Sequence, residues 1–564
     1  MSGMVFASLA CRWIWAFSFA AGCLLAARPL IHWFQLESYQ FPGYFRTLRR
    51  KKGRAWLPGI RMAAACLGAD LLVLGLHSLA ARRLWASREA LGEALVFAAL
   101  CLIHLAVGLL FYRSARHQKE KKKMVFTPRV KRLYVVCAVV WTLLYFGWTI
   151  LFSSAFSQEP FSLVRTGAAL AAWYAFAVLI PLWLALGGLL AWPIEKAISE
   201  MYFRDAQRIL RERKDLIRIG ITGSWGKTSV KFILGTLLSE KYPTLVTPAS
   251  YNTPMGVTRV IRTQLEPGCR VFVAEMGARH VGDIREMCRL VHPQIGILTS
   301  VGPQHLDTFH TQENVTRTKY ELIDAIPQDG KCFFADDDGI VTGLWEKTGK
   351  ERYLAGTHPE RDDCWAEDVQ VSPAGSRFLL CTRDGERIAC ETELLGELNI
   401  RNIALCASVC FQMGLSGKEI ARGIRKLRPV EHRLELKRNP GGLTVLDDAF
   451  NSNIRGAKQA FETLKKFPGK RIVVTPGMVE LGEQEQEMNR EFGRSMAGSC
   501  DEAILVGLRR SEAISEGLRQ EQFPAEHIHP VHNLQEAAAM LQQMAGSGDT
   551  VLFENDLPDN YSEE

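Results

Sequence analysis

The sequence predicts an α-helical membrane domain followed by α/β structure: a central domain built on a phosphate-binding loop (P-loop), then a Rossmann-like C-terminal domain. Three observations predict it. Long apolar runs are confined to the chain before Trp192. A strand, a glycine loop and an amphipathic helix follow one another over 216–242. After about residue 430, short apolar strands alternate with helical segments. At 564 residues the chain is too long for one ordinary domain. The changes of texture divide it into 1–200, 201–428 and 429–564.

The first part holds five apolar stretches, at about 4–27, 62–80, 92–112, 134–156 and 166–192. Each is near or above the roughly 18–20 residues that cross a hydrocarbon core, so about five transmembrane helices are expected. The first stretch is not read as a signal peptide, because it is long, Arg12 interrupts it and further spans follow. The second carries Asp70 and His77 and is the weakest; a buried core helix is its plainer reading. Lys and Arg crowd the first loop (Arg46, Arg49, Arg50, Lys51, Lys52, Arg54) and the third (Arg113 to Arg132). The second loop has Arg82, Arg83 and Arg88, and the fourth little beyond Glu159 and Arg165. The positive-inside bias puts loops one and three in the cytoplasm, the N-terminus outside, and everything after Trp192 inside. The basic loops then face anionic lipid, which accounts for a net charge of +8 without a nucleic-acid partner. Fourteen cysteines with no CxxC spacing read as reduced thiols rather than a zinc site or disulfide framework.

"LIRIGIT" (216–222) reads as a buried strand. "VKFILGTLLSEKY" (230–242) reads as a helix with Val230, Ile233, Leu234, Leu237 and Leu238 on one face. Between them lies "TGSWGKT", with Gly223, Ser224, Gly226, Lys227 and Thr228. Backbone N–H groups and a helix N-terminus hold phosphates in such a loop, the lysine reaches the outer phosphates, and the threonine can meet a magnesium ion. ATP and Mg2+ are the cofactors this chemistry expects. The general GxxxxGK[ST] pattern misses by one position, because Ile221 stands where it requires glycine.

The variant loop resembles that of the Mur ligase family, ATP-dependent amide ligases of cell-wall synthesis, and an ordered series of segments extends the resemblance over about 215–553. "SYNTPMGV" (250–257) is similar to the family's substrate loop, which implies that Asn252 meets substrate. "VFVAEMGARHVGDI" (271–284) and "GILTSVGPQHLDTF" (296–309) resemble the segments whose glutamate and histidine bind metal, implying a metal set of Thr228, Glu275 and His305. "TRTKYELI" (316–323) resembles the segment with the carbamylated lysine, implying that role for Lys319; an ordinary helix lysine is the plainer alternative. "LLGELNIRN" (394–402), with Leu398 in place of the family's histidine, implies Asn399 and Asn402 near adenine. "VEHRLE" (430–435) implies that Arg433 meets the ATP phosphates. "LDDAFNSNIRGAKQAF" (446–461) implies Asp447 or Asp448 at the ribose, and Asn451 and Asn453 at the incoming amine; capping of the next helix is the alternative for the two asparagines. "GMVELGEQEQEMNREFG" (477–493) completes the series. The last three are most similar to the branch of the family that adds D-Ala-D-Ala.

The resemblance implies an enzyme that phosphorylates a carboxylate and lets an amine attack the acyl phosphate. Lys227, Lys319 and His305 would be its catalytic residues. A cell-wall peptide precursor and an amine or dipeptide would be its partners, with membrane lipid around the first domain. Two features depart from the pattern. Apolar spans stand where the soluble ligases carry a domain for the UDP sugar, and the chain ends in the acidic "FENDLPDNYSEE" (553–564). A lipid-linked acceptor is therefore the competing reading within the family. An ATP-driven transporter or an inactive scaffold is the competing reading outside it. The absence of an apolar Walker-B run ending in Asp-Glu argues against the transporter.

Overall fold

The computed structural model describes residues 9–84, 89–117, 123–156, 163–249, 251–337, 339–438, 441–449, 454–479, 481 and 484–555. The chain forms two compact units, 1–199 and 200–564.

The first unit is helical: α1 (Leu9–Ala26), α2 (Arg28–Leu36), α3 (Phe41–Lys51), α4 (Leu57–Leu84), α5 (Glu89–Arg116), α6 (Pro128–Phe156) and α7 (Leu163–Val178), after which α8 (Ile180–Glu212) begins. Four segments are long and apolar enough to cross a membrane: Leu9–Ala26, Leu57–His77, Leu91–Arg116 and Pro128–Leu151. The fifth expected span, 166–192, is not one straight helix. Its two parts, Ala171–Val178 and Ile180–Glu212, bend by 61° at Leu179. Pro181 explains the break: it has no N–H to give to a carbonyl one turn back, and it biases the residue before it away from the helical region. Long apolar side chains such as Leu72, Leu76, Leu102, Leu110, Val135 and Leu151 point outward, while Phe19, Trp141, Tyr145 and Phe176 fill the centre. Asp70 of the weak second stretch also lies inside, fully buried. It accepts a hydrogen bond from the Tyr174 hydroxyl, and His104 Nε2 lies 3.3 Å from the same carboxylate oxygen. Inside the bundle this polar side chain finds its hydrogen-bond partners among other buried side chains.

The second unit contains two sheets. The larger has nine strands in the order β2-β3-β1-β4-β5-β6-β7-β8-β9. These are β1 (Ile217–Thr222), β2 (Thr244–Val246), β3 (Val271–Glu275), β4 (Ile295–Leu298), β5 (Lys331–Ala335), β6 (Glu351–Gly356), β7 (Cys364–Ser372), β8 (Gly375–Thr382) and β9 (Arg387–Thr392). β2 to β7 run parallel and β7, β8 and β9 pair antiparallel. "VFVAE" in β3 and "IGIL" in β4 are buried throughout, as strands covered on both faces must be. The covering helices include α9 (Lys227–Leu238), α10 (Pro254–Gln264), α11 (Asp283–Val291), α12 (Leu306–Phe309), α13 (Gln312–Ala325), α14 (Ile340–Lys347), α15 (Glu397–Gln412) and α16 (Gly417–Lys426). Val230, Ile233, Leu234, Leu237 and Leu238 of α9 are buried, which is the face expected from their spacing.

The smaller sheet has the order β10-β11-β15-β12-β13-β14, with β10 (Glu435–Arg438), β11 (Thr444–Asp448), β12 (Arg471–Thr475), β13 (Glu502–Val506), β14 (Ile528–Val531) and β15 (Thr550–Glu554). Only β10 is antiparallel, and α17 (Ile454–Leu464), α18 (Glu485–Met496), α19 (Leu508–Gln520) and α20 (Leu534–Met544) pack on the sheet, giving the expected doubly wound α/β layout.

Candidate active site

The P-loop leaves the C-terminal end of β1 and enters α9. Its two glycines are needed for different reasons. A Cβ on Gly223 would stand 2.1 Å from Thr299 Oγ1 and 2.9 Å from the Ser300 amide nitrogen, so the loop can pass the end of β4 only without a side chain there. Gly226 has φ +80°, the left-handed region, and caps α9. The N–H groups of Lys227 and Thr228 open the helix, where no carbonyl of the same helix can reach them. That end is suited to phosphate.

Ser224 is bonded within the protein through both its hydroxyl and its N–H. Its hydroxyl donates to the Gly302 carbonyl and accepts from the Gly302 N–H, both at 3.0 Å, and its own N–H donates to Ser300 O at 2.9 Å. These bonds tie the loop to the segment after β4 and leave Ser224 as a brace. Lys227 does not project into solvent. Its Nζ folds back on the loop carbonyls of Gly223 (2.6 Å) and Ser224 (3.0 Å). Burial pulls its amine down to about 8, with Glu275 opposing and Arg433 adding to the effect.

Glu275 ends β3 and is 1% exposed. Thr228 Oγ1 lies 3.2 and 3.1 Å from its two oxygens. Asn252 Nδ2 donates to Oε1 at 3.0 Å, and Lys231 Nζ meets Oε2 at 3.0 Å. Burial alone would raise the carboxyl, but Lys231 and Lys227 hold it below the usual carboxylate range. Thr228, Glu275 and Asn252, three residues expected from separate segments, therefore form one cluster. Lys231 is its unexpected member. Its sequence signal was a lysine one turn after Thr228 on a helix whose neighbouring positions are core.

His305 stands at the N-terminus of α12 with left-handed backbone (φ 52°), beyond the C-terminal end of β4. Among the described residues no three His, Cys, Asp or Glu side chains converge on one point. The oxygens of Thr228 and Glu275 are hard donors that suit Mg2+, an ion that keeps waters and phosphate oxygens for the rest of its shell. Lys319, on α13, is buried at 1% exposure, which excludes an ordinary surface lysine. Burial, then the charge of Lys227, drives its amine well below the usual value, against the pull of Asp283 and Glu275.

Asn402 brings its Oδ1 within 3.5 Å of where a Gly226 Cβ would stand, so α15 abuts the loop. Asn399 donates to the Leu395 carbonyl at 2.8 Å and lines a small cavity beside α9 with Arg433, Ser229 and Phe232. Burial lowers the Arg433 pKa, with Asp448 and Glu275 opposing. Asp447 is gripped by Lys437 Nζ (2.6 Å) and His432 Nδ1 (2.8 Å). Its neighbour Asp448 accepts from the Leu434 N–H at 3.0 Å and is pushed up by burial to about 6. Asn451 and Asn453 lie outside the described residues.

Comparison with known proteins accounts for this arrangement. The Mur ligase middle domain matches residues 221–410, and the Mur ligase, glutamate ligase domain matches 432–554. The UDP-N-acetylmuramoyl-tripeptide–D-alanyl-D-alanine ligase of Mycobacterium leprae is 30% identical over 367 residues, 59% of this chain and 70% of that protein. The chain belongs to the Mur ligase family.

Other Mur ligases agree. The same-named ligase of Bacillus subtilis is 26% identical over 338 residues, 59% of this chain and 72% of its own length. That of Mycobacterium tuberculosis is 30% identical, with 59% of its length covered. Two MurF crystal structures share the fold. The Acinetobacter baumannii protein has TM-score 0.58 and 23% identity, covering 64% of this chain and 77% of that one. The Thermotoga maritima protein, in complex with ADP, has TM-score 0.57 and 24% identity, covering 64% and 80%. This Mur ligase is thus an ATP-dependent ligase whose matched domains begin after residue 220.

Proposed function

We propose that this Mur ligase is a membrane-anchored enzyme that joins D-alanyl-D-alanine to a UDP-N-acetylmuramoyl tripeptide through an acyl phosphate. The observation that carries the reading is the gathering of Lys227, Thr228 and Glu275 at the strand ends of a parallel sheet, beside Arg433 from the start of the C-terminal domain. The curated relatives named for this reaction supply the substrates.

In this reading the phosphates of ATP lie on the N-terminus of α9, and Lys227 leaves its loop carbonyls to meet the outer ones. Thr228, Glu275 and His305 would hold Mg2+, which would supply positive charge against the phosphoryl group. The substrate carboxylate attacks the γ-phosphorus; an acyl phosphate forms and ADP leaves. The amine of the dipeptide then attacks the acyl carbon, and inorganic phosphate departs. Charge neutralisation in line is the main catalytic demand of such a transfer. Lys319, whose amine burial drives well below its usual pKa, is suited to take up CO2 as a carbamate, releasing a proton. Asn399 and Asn402 sit at the adenine, Asp447 at the ribose, and Asn252, Asn451 and Asn453 at the substrates. Domains over 1–200, 201–428 and 429–564 divide anchoring, ATP binding and closure.

The N-terminal helices span the bilayer with the N-terminus outside, consistent with outward apolar side chains and an inward Asp70–His104–Tyr174 cluster. The same apolar unit favours one second reading, a lipid-linked acceptor. Full-length protein in detergent, given ATP, Mg2+ and D-Ala-D-Ala, separates the two. The expected result is ADP and a pentapeptide mass with the UDP-linked tripeptide. Product only with the lipid-linked tripeptide establishes the second reading, and ADP with neither rejects this substrate class.

A further inference from the structure

Glu275 is a buried anion, yet its charge is already answered. Lys231 Nζ sits 3.0 Å from Oε2, and neither side chain of the pair is more than 1% exposed. The lysine is pinned from its other side by the Ala249 carbonyl at 2.5 Å. Ala249 takes left-handed backbone (φ 43°) without being glycine, a conformation that costs free energy and points its carbonyl at the amine. Lys231 is thus tied both to the loop after β2 and to Glu275, whereas Lys227 bonds to carbonyls of its own loop. Among the described residues, the other carboxylate oxygen, Oε1, is held by Asn252 Nδ2 at 3.0 Å and the Thr228 hydroxyl at 3.2 Å, neutral groups that can give way.

We propose that Lys231 is a positioning residue that keeps one oxygen of Glu275 permanently occupied, so that a divalent cation is offered a single oxygen beside a fixed ammonium and enters only together with nucleotide phosphate. The proposal rests on the reading of Thr228 and Glu275 as metal-holding residues. A free cation at this site would lose hydration for one oxygen and feel the repulsion of a fixed ammonium a few ångströms away. Phosphate oxygens supply the missing negative charge. The arrangement also ties the Asn252 loop to the metal site, since Ala249 and Asn252 bracket the same carboxylate.

The test uses full-length protein in detergent with Mn2+ as probe, its free fraction read by electron paramagnetic resonance. Without nucleotide, wild type should bind Mn2+ weakly. Lys231→Met should bind it at least tenfold more tightly, because Glu275 loses the ammonium on Oε2 and has both oxygens available. Lys231→Gln, which keeps an N–H donor and loses the charge, should do the same where the Met variant does not fold, and Lys231→Arg should resemble wild type. With ADP present the difference should shrink. Equal nucleotide-free affinity in wild type and a folded neutral variant overturns the proposal. So does a wild type that binds Mn2+ as tightly without ADP as with it, whatever the variants do. Glu275→Gln separates this proposal from the reading beneath it. If Mn2+ with ADP still binds normally there, the metal assignment itself fails and the proposal falls with it. If that binding is lost while neutral Lys231 variants match wild type, only the role of Lys231 fails.

Discussion

Lys227→Ala lowers ATP-dependent turnover by about 10²–10³-fold while the protein stays folded, the scale seen when one preorganised group facing developing charge is removed. The side chain makes two hydrogen bonds in the nucleotide-free protein, both to carbonyls of its own loop. Removing it opens no apolar cavity and strands no buried ion, so the thermal midpoint without nucleotide should barely move. A pH signature accompanies the loss. The free amine titrates near 8, and bound phosphates raise that value. Below 8 the lysine is charged with or without nucleotide, and affinity is flat. Above 8 binding must take up a proton, so ATP affinity in wild type falls as pH rises, by at most about tenfold per unit. The Ala variant loses that slope. Turnover within twofold of wild type would remove Lys227 from the mechanism.

Glu275→Ala has the opposite balance, a large loss of stability as well as of activity. It leaves the Lys231 ammonium buried at 0% exposure with the Ala249 carbonyl as its remaining strong partner. Breaking a buried pair from one side costs about 3–5 kcal/mol, because the surviving charge is still out of water. The expected observation is a clear drop in the thermal midpoint of the nucleotide-free protein. Replacing both members, Lys231→Met with Glu275→Gln, should recover most of it, since a neutral pair of similar volume carries no stranded charge. A single variant as stable as wild type would mean that the pair is solvated in solution.

Residues whose partners are close in sequence were legible before the structure. Gly223, Gly226, Lys227 and Thr228 announce a loop because a tight turn, a left-handed cap and a helix N-terminus each demand a particular residue type at a fixed spacing. The apolar runs announced the helical unit for the same local reason. Lys231 was not legible. Its meaning lies in Glu275, 44 positions away, and a lone lysine within a helix carries no mark of what it faces. Ser224 was legible as a member of the loop, but only the packing of the loop on Gly302 decides where its hydroxyl goes. The bend at Leu179 was written in Pro181, and an apolar window averages over it. Asp447 and Asp448 were interchangeable on paper. The antiparallel pairing of β10 with β11 separates them, giving one to His432 and Lys437 and the other to the Leu434 N–H.

The central claim, that this chain forms an amide by way of an acyl phosphate, has a direct isotopic test. The acceptor tripeptide is labelled with 18O in its terminal carboxylate and turned over by the full-length enzyme with ATP, Mg2+ and D-Ala-D-Ala, and the released phosphate is examined by mass spectrometry. The account predicts one 18O transferred to phosphate per amide bond formed, and in Lys227→Ala the same ratio at the lowered rate. Amide product accompanied by unlabelled phosphate would contradict it.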